Sequence, residues 1–157
     1  MTTLGRSLWR WLKSASNRTF VVWPVLLLSV QAALDRGWPQ LSLWGLPLMA
    51  WGYGQYKLVG RRRNALGGGG PGLSNPPERL VTTGIYSITR NPMYLGHMVF
   101  LAGLAVMLSW PAWLVLIGHA IWFDWRVRGD ERHLADLFGA DYLAYSGRVK
   151  RWIPGCY

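Results

Sequence analysis

Cysteine and histidine are scarce in this chain of 157 residues. The single cysteine, Cys156, excludes a disulfide within the chain and a zinc site built from several cysteines. Because only one residue follows Cys156, we expect no prenylation box at the C-terminus. No two of the three histidines have the four-residue spacing of paired zinc ligands on a helix, so we predict no metal site.

Acidic residues are also few: seven Asp and Glu stand against seventeen Lys and Arg, for a formal net charge of +10. A chain this basic could bind nucleic acid. Its eleven tryptophans and its apolar blocks favour a membrane protein instead, because Trp concentrates at bilayer interfaces. We therefore predict a bilayer and no nucleic acid as partner. No small-residue cleavage site follows the first apolar block, so we expect that block to be retained.

Four apolar blocks predict an all-α polytopic membrane protein with about four transmembrane helices. The blocks are 20–34, 41–59, 93–110 and 112–127. The first is short against the roughly 20 residues that a spanning helix needs. Gly45, Gly52 and Gly54 in the second would allow close helix approach. Only Trp110 and Pro111 separate the last two blocks, which predicts a tight antiparallel hairpin.

The blocks divide a single membrane domain into segments. We predict a basic interfacial segment at 1–18, two spans in 19–59, a cytoplasmic loop at 60–91, a helical hairpin at 92–128 and a cytoplasmic amphipathic helical segment at 129–157. The alternative for the segment 1–18 is a disordered basic flank. The Gly-rich stretch 61–72 predicts a flexible linker or a lid. It does not resemble a phosphate-binding loop, because no strand precedes it and no Gly-Lys-Ser/Thr ends it.

Lysine and arginine are distributed asymmetrically about these four spans. An even number of spans puts both termini and the central loop on one side, and only Arg36 falls on the other. The positive-inside rule then places both termini in the cytoplasm. In a bacterium the membrane would be the inner or plasma membrane.

The first candidate binding element is the stretch 84–96, where a polar loop becomes an apolar helix. Asn91 is a good N-cap and Pro92 suits the first helical position, so we predict a helix that begins at Pro92. Its free N–H groups, together with Arg90, would favour a carboxylate or a phosphate. The alternative is a capped membrane helix with a positive flank and no ligand.

The second candidate element is the segment 130–145. Its residues Glu131, Leu134, Phe138, Tyr142 and Tyr145 share one face of a continuous helix, which Gly139 would bend. The hairpin returns this segment to the face that carries Arg90. Asp130 and Glu131 would favour an ammonium group or ribose hydroxyls, so a zwitterionic, nucleotide-like ligand matches the two ends. Tyr86, Tyr94, Tyr142 and Tyr145 could stack on it or donate hydrogen bonds.

Three further ionisable residues lie in the apolar blocks. His97 is a candidate for ligand contact, one turn beyond Tyr94. For His119 we expect a hydrogen bond between helices. For Asp124 we expect pairing with Arg126 or Arg128 rather than catalysis.

Both elements resemble the isoprenylcysteine carboxyl methyltransferase family. The resemblance lies in Gly84-Ile-Tyr-x-x-x-Arg-Asn-Pro-Met-Tyr-Leu-Gly96, in Asp130-Glu-x-x-Leu-x-x-x-Phe-Gly-x-x-Tyr-x-x-Tyr145 and in Val149-x-Arg151-x-Ile-Pro154. The related phospholipid N-methyltransferases share the Asn-Pro-Met-Tyr form. Asn91 stands where the carboxyl methyltransferases commonly have His, and Asp130 stands where Glu is frequent. Asn91 favours a place in the phospholipid branch or among bacterial relatives of unassigned substrate.

The resemblance implies an integral membrane enzyme that uses S-adenosylmethionine. The implied cofactor-binding residues are Tyr86, Arg90, Asn91, Pro92, Tyr94, Leu95, Gly96, His97, Glu131, Tyr142 and Tyr145, and the implied catalytic residues are Arg90 and Glu131. A carboxylate or thiolate acceptor would need only orientation, for which Arg90 is the candidate. An amine or hydroxyl would need a base, for which Glu131 or His97 is the candidate.

The function expected from the sequence is therefore methyl transfer to a lipid-like or small hydrophobic acceptor (a carboxylate, thiol or amine) at the membrane. Two alternatives stay open: a non-enzymatic membrane module, and a nicotinamide-dependent membrane reductase of the sterol-reductase type. Short spans with glycine on their faces would also allow a homodimer.

Overall fold

The computed structural model describes residues 3–69 and 76–152, and this part of the chain is helical with no strand. The all-α prediction is therefore confirmed. The helices are α1 (Thr3–Lys13), α2 (Ala15–Leu34), α3 (Leu46–Gly67), α4 (Pro92–Met107) and α5 (Trp110–Arg148). Single 3₁₀ turns form at Leu43–Gly45 and at Gly84–Ser87. Residues 70–72 of the predicted lid and the Ile153–Pro154 end of the C-terminal motif lie outside the described residues.

By length and composition, α2 is the one described helix able to cross a membrane, with 20 residues. After one α-helical turn at Ala15–Asn17, the segment Arg18–Val22 is π-helical. Helix α4 is apolar but has only 16 residues. The prediction of four spans is therefore not confirmed by the helices themselves.

The chain folds as two compact units, and helices α3, α4 and α5 each contribute to both. The first unit contains Met1–Tyr53 and His97–Gly118. The second contains Gly54–Gly96 and His119–Tyr157. Both candidate elements, 84–96 and 130–145, belong to the second unit.

The first unit has an apolar core built by α2, α4 and the start of α5. Its buried members are Leu27, Leu101, Leu104, Ala105, Met107, Leu108 and Ala112. Gln31 is buried at the edge of this core, where its Oε1 accepts a hydrogen bond from the backbone N–H of Ser109 at 3.0 Å. The backbone N–H of Ser42 likewise donates to the carbonyl of Met107 at 3.0 Å. These two bonds satisfy backbone groups at the α4–α5 turn, where the helix leaves its own groups unpaired.

A close helix contact in the first unit depends on two glycines. A methyl group at Gly45 would overlap the carbonyl oxygen of Gly103, and one at Gly103 would lie 2.7 Å from the backbone nitrogen of Met49. Only glycine allows the backbones to approach this closely. The expectation of close approach is therefore correct for Gly45. At Gly54 a methyl group would meet nothing within 4 Å.

Two differences between the helix boundaries and the apolar blocks concern the central loop and the hairpin. The predicted loop 60–91 does not begin at Gly60, because α3 continues through the arginines to Gly67. Arginine, alanine and leucine all favour helix, so the helix continues beyond the end of the apolar block. The helix ends where Gly68 takes a positive φ of 68° and its N–H donates to the carbonyl of Asn64.

The other difference is the turn of the hairpin. Trp110 and Pro111 are the first residues of α5, and the turn lies just before them, after Met107. Proline fits there because the first turn of a helix does not need its N–H. Helix α5 then runs without interruption through the predicted boundary at 128 and bends at Gly139, as expected, where φ is 51° and ψ is −124°.

Candidate functional site

The second unit joins the two candidate elements through Asn91 and Glu131. The side-chain amide of Asn91 donates to Oε1 of Glu131 at 3.3 Å and to the carbonyl of Arg151 at 3.4 Å. Helix α4 begins at Pro92, as predicted, so Asn91 stands at its N-terminus. Forty residues separate the two partners in sequence. The expectation that the hairpin returns both elements to one place is confirmed.

Glu131 is the centre of a charged cluster. Its Oε2 accepts from Nη2 of Arg151 at 2.8 Å, and its Oε1 lies 3.3 Å from Nε of Arg90. The side chains are nearly buried, with 12%, 19% and 14% of their surfaces exposed for Glu131, Arg151 and Arg90. Ion pairs between nearly buried groups are strong, but removing one partner leaves the other charge buried and unpaired, which is destabilising. Arg151 also lies 3.6 Å from the carboxylate of Asp124, so a second acidic group joins the cluster.

Thr89 and the segment around Arg151 complete the cluster through the backbone. The buried hydroxyl of Thr89 donates to the carbonyl of Arg151 at 2.9 Å and accepts from the N–H of Asn91 at 3.3 Å. The N–H of Arg90 donates to the carbonyl of Lys150 at 3.0 Å. The chain that follows α5 is thus bonded along the loop that precedes α4, which holds Arg151 beside Glu131.

Two tyrosines beyond the bend of α5 differ in how their hydroxyl groups are satisfied. The hydroxyl of Tyr145 donates to the carbonyl of Tyr86 at 2.7 Å. Tyr142 is 4% exposed, and its hydroxyl has no hydrogen-bond partner among the described residues. Burial, and then the negative charge of Glu131, raise the pKa of Tyr142 to about 12, so the group is a neutral donor at physiological pH. A buried hydroxyl without a partner is costly, which points to a ligand atom as its partner.

The remaining tyrosines of the candidate set are engaged elsewhere. The hydroxyl of Tyr94 donates to Oδ2 of Asp130 at 2.7 Å and accepts from Nε of Arg126 at 2.9 Å. Burial raises the pKa of Tyr86 to about 12, against the opposing charge of Arg63. Tyr94 therefore links α4 to α5, and the side chain of Tyr86 is half-buried.

A cavity of about 430 Å³ adjoins the charged cluster within the second unit. Its lining residues are Arg90, Trp125, Arg128, Glu131, Arg132, Ala135, Tyr142, Ser146 and Arg151. Three of the predicted site residues are among them: Arg90, Glu131 and Tyr142. The volume is within the range of roughly 300–1,000 Å³ that is usual for small-molecule sites.

The other predicted residues do not line this cavity. Asn91 donates a hydrogen bond to Glu131, and the hydroxyl of Tyr145 donates to the backbone carbonyl of Tyr86. Pro92 and Gly96 are buried, and Leu95 is half-buried, as parts of α4. His97 belongs to the first unit, where its buried ring lies 4.8 Å from that of Phe20.

Sequence reasoning missed several lining residues that a helical pattern could have revealed. Trp125, Arg128, Arg132 and Ala135 follow one another at intervals of three or four, so they form one stripe of α5 beside Glu131. Arg151 could not be found this way, because it lies beyond the helix and reaches Glu131 only through the fold. Only a motif that was noted without a role, Val149-x-Arg151, marked it.

The remaining sequence expectations concern Asp124 and the histidines. Asp124 pairs with Arg128 at 2.7 Å, as expected, whereas Arg126 bonds to Tyr94 instead. Asp124 also accepts a hydrogen bond from the indole N–H of Trp152 at 3.0 Å. His119 contacts the rings of Trp122 and Phe123, and its predicted hydrogen bond between helices stays a prediction. No group of three His, Cys, Asp or Glu that could hold a metal occurs within 3–69 and 76–152.

Comparison with known proteins places these residues in context. Residues 65–141 match a family model described as phospholipid methyltransferase. Among curated proteins, protein-S-isoprenylcysteine O-methyltransferase of Saccharomyces cerevisiae is 38% identical over 77 residues, which cover 48% of this chain and 32% of the relative.

Two further relatives agree with this match. Protein-S-isoprenylcysteine O-methyltransferase B of Arabidopsis thaliana is 35% identical over 79 residues, which cover 49% of this chain and 40% of the relative. Protein-S-isoprenylcysteine O-methyltransferase of Mus musculus is 35% identical over 77 residues, which cover 48% of this chain and 27% of the relative. The chain thus spans well under half the length of the curated relatives it matches. No solved structure matches it.

Proposed function

We propose, on the premise that the chain belongs to the family of isoprenylcysteine and phospholipid methyltransferases, that it is an S-adenosylmethionine-dependent methyltransferase. Its acceptor would be a lipid-like or small hydrophobic molecule with a carboxylate, thiol or amine group, at the membrane. One observation carries the proposal: Arg90 and Glu131, from the two motifs, meet beside a cavity into whose wall Tyr142 brings a buried, unsatisfied hydroxyl.

The residues present fit the cofactor. Glu131 is the acidic group that lines the cavity and would hold the ammonium of the methionine part, while Arg90 or Arg151 would hold its carboxylate. The ring of Trp125, 72% exposed, would stack on the adenine. The hydroxyl of Tyr142 would donate to a ligand oxygen or nitrogen and so gain the partner it lacks.

The remaining residues of the predicted set would support the residues that line the cavity without lining it themselves. Asn91 would orient Glu131, and the bond between Tyr145 and Tyr86 would hold the end of α5 against the loop. Pro92, Tyr94, Leu95 and Gly96 would position the start of α4. His97 belongs to the first unit and is not part of this proposed set.

Bound S-adenosylmethionine supplies a methyl group activated by a positively charged sulfur. The chain would contribute orientation and exclusion of water, with Arg90 and Tyr142 both nearly buried. Oε2 of Glu131 already accepts from Arg151, and its Oε1 accepts from Asn91 and lies 3.3 Å from Nε of Arg90, which suits a positioning role better than proton transfer. An acceptor that needs no base, a carboxylate or a thiolate, is therefore favoured over an amine.

The membrane arrangement is part of the same proposal. We propose four spans, formed by α2 and by the apolar parts of α3, α4 and α5, with both termini and the cavity on the cytoplasmic side. In support, large apolar side chains of these helices are exposed, among them Val25, Trp51, Leu114 and Ile121. A homodimer stays a prediction, and the glycine pair Gly45–Gly103 is already used within the chain.

The decisive experiment is calorimetric titration of the detergent-purified protein with S-adenosylmethionine and with its demethylated product. We expect a micromolar dissociation constant. Glu131→Ala should weaken the affinity at least about tenfold, because charge-assisted hydrogen bonds are lost. Asp136→Ala is the matched control: it removes an exposed carboxylate from the same helix and should leave the affinity unchanged.

Other outcomes would favour the alternatives. Unchanged affinity in a folded Glu131→Ala protein would remove Glu131 from the site. Absence of binding by folded, monodisperse protein would contradict the methyltransferase proposal. A parallel titration with a reduced nicotinamide dinucleotide then separates the reductase from a non-enzymatic module.

A further inference from the structure

Helix α1 has two faces of different chemistry. Leu8, Trp11 and Leu12 follow at intervals of three and four, so they lie on one face, with Trp9 at its margin. Arg6 and Lys13 lie seven residues apart, on the opposite face. A helix with this division can lie in the plane of a membrane surface, with its apolar side toward the acyl chains.

The apolar face of α1 is partly exposed in the part of the chain that the structure describes. The exposed fractions are 58% for Leu8, 55% for Trp9, 41% for Trp11 and 36% for Leu12. Arg6 and Lys13 are exposed as well. Burying this face in a lipid boundary would remove a contiguous apolar strip from water, at roughly 25 cal/mol per Å² of apolar surface.

The charge of this region has one sign. The first acidic residue of the whole chain is Asp35, so neither α1 nor α2 contains a carboxylate. Lys13 places its ammonium 5.2 Å from the ring centroid of Trp9. A cation beside an indole at the margin of an apolar face is suited to the headgroup level of a bilayer.

A short, bonded turn joins α1 to the membrane-length helix α2. Ser14 adopts extended backbone angles, φ −65° and ψ 123°, which end α1. The carbonyl of Trp11 accepts from the N–H of Ser14 at 3.2 Å and from the side-chain amide of Asn17 at 3.0 Å. One residue thus separates a basic amphipathic helix from the proposed first span.

We propose that α1 is a lipid-binding element that docks its Leu8–Trp11–Leu12 face on a bilayer surface containing anionic lipids. Arg6 and Lys13 contact the phosphate-bearing headgroups, and Trp9 lies at their level. The proposal rests on the proposed membrane location of the protein, but not on the methyltransferase activity.

The test uses the full chain in lipid nanodiscs, with the native cysteine replaced (Cys156→Ser) and a nitroxide spin label at Leu8→Cys. Collisional accessibility to oxygen and to a water-soluble nickel reagent reports the depth of the label. We expect a label at the acyl-chain boundary with 30% anionic lipid and a water-exposed label with zwitterionic lipid alone. The ratio of docked to undocked helix should fall at least tenfold in Arg6→Gln/Lys13→Gln, since each charge near an anionic surface contributes about fivefold.

Two controls make the outcomes distinct. Arg61→Gln/Arg79→Gln removes the same charge from exposed positions of the second unit and should leave the Leu8→Cys label docked. A label at Val25→Cys, on α2, should be deep in both lipid compositions. A water-exposed Val25→Cys label would overturn the membrane location and this proposal with it. With that label deep, a water-exposed Leu8→Cys label in both compositions would overturn the lipid-binding role, and a label at the acyl-chain boundary in both would overturn the requirement for anionic lipid.

Discussion

The carboxylate of Glu131 is contacted by three side chains. Asn91, Arg90 and Arg151 reach it from the loop before α4 and from the segment after α5. A ligand ammonium would therefore have to share the carboxylate with guanidinium groups or displace one of them. This competition makes Glu131 the residue whose removal should affect both the empty protein and its binding.

Tyr142 gives a prediction that separates stability from binding. We expect Tyr142→Phe to stabilise the empty protein by ~1 kcal/mol, since a buried hydroxyl without a partner costs ~1–3 kcal/mol. The same variant should weaken S-adenosylmethionine binding by about fivefold to tenfold, the equivalent of one hydrogen bond. Thermal unfolding and calorimetric titration measure the two effects.

Tyr145→Phe is the matched control for this prediction. It removes a hydroxyl that donates to the carbonyl of Tyr86, so it should destabilise the protein by ~0.5–1.5 kcal/mol. If Tyr142→Phe were destabilising in the same way, the hydroxyl of Tyr142 would have a partner in the empty protein and the ligand assignment would lose its support.

At the scale of elements, α5 both builds the wall of the cavity and bends beneath it. The stripe from Trp125 to Ala135 precedes the bend, and Tyr142 and Ser146 follow it. The bend occurs at Gly139, where the backbone has a positive φ that side chains rarely adopt. An unbent helix would point Tyr142 and Tyr145 in other directions.

Gly139→Ala should therefore cost ~1–2 kcal/mol of stability through backbone strain, although a methyl group there would meet nothing within 4 Å. It should also weaken cofactor binding, because the strain is relieved by redirecting the end of α5. Gly129→Ala is the control: Gly129 lies in a regular part of the same helix with equal space, and alanine should stabilise it by ~0.5–1 kcal/mol. Equal unfolding temperatures for the two variants would contradict a required bend.

At the scale of the whole molecule, the placement of charge determines the proposed orientation. Sixteen of the seventeen Lys and Arg residues fall on the side of the termini in a four-span arrangement, leaving only Arg36. Translocating that many cations is unfavourable, which is the basis of the positive-inside rule. The apolar residues alone would permit either orientation.

Single cysteines test this topology in intact cells, in the Cys156→Ser background. We expect a membrane-impermeant maleimide to label Gln40→Cys, in the exposed turn after α2, in sealed cells. Arg79→Cys, in the exposed connection before α4, should react only after permeabilisation. Labelling of Arg79→Cys in sealed cells would contradict four spans with cytoplasmic termini.

Much of this protein could be predicted from its sequence, because the relevant signals are local. Proline at position 92 marked the start of α4, glycine at 139 marked the bend of α5, and the apolar blocks marked the helical class. The two motifs also identified Arg90, Glu131 and Tyr142, which line the cavity. Hydropathy failed at the end of α3, because charged residues that favour helix extend it past the apolar block.

The tertiary structure decided which of the predicted residues face the cavity and which support it. Asn91 and Tyr94 share a motif with Arg90, and Tyr145 shares one with Glu131, yet all three bond to neighbouring elements. It also brought Arg151 to Glu131 and left the hydroxyl of Tyr142 without a partner among residues 3–69 and 76–152. The physical reason is the separation, along the sequence, of the residues that interact. Caps, bends and apolar faces depend on residues within one or two turns, whereas ion pairs and buried hydroxyl groups depend on contacts between segments many residues apart.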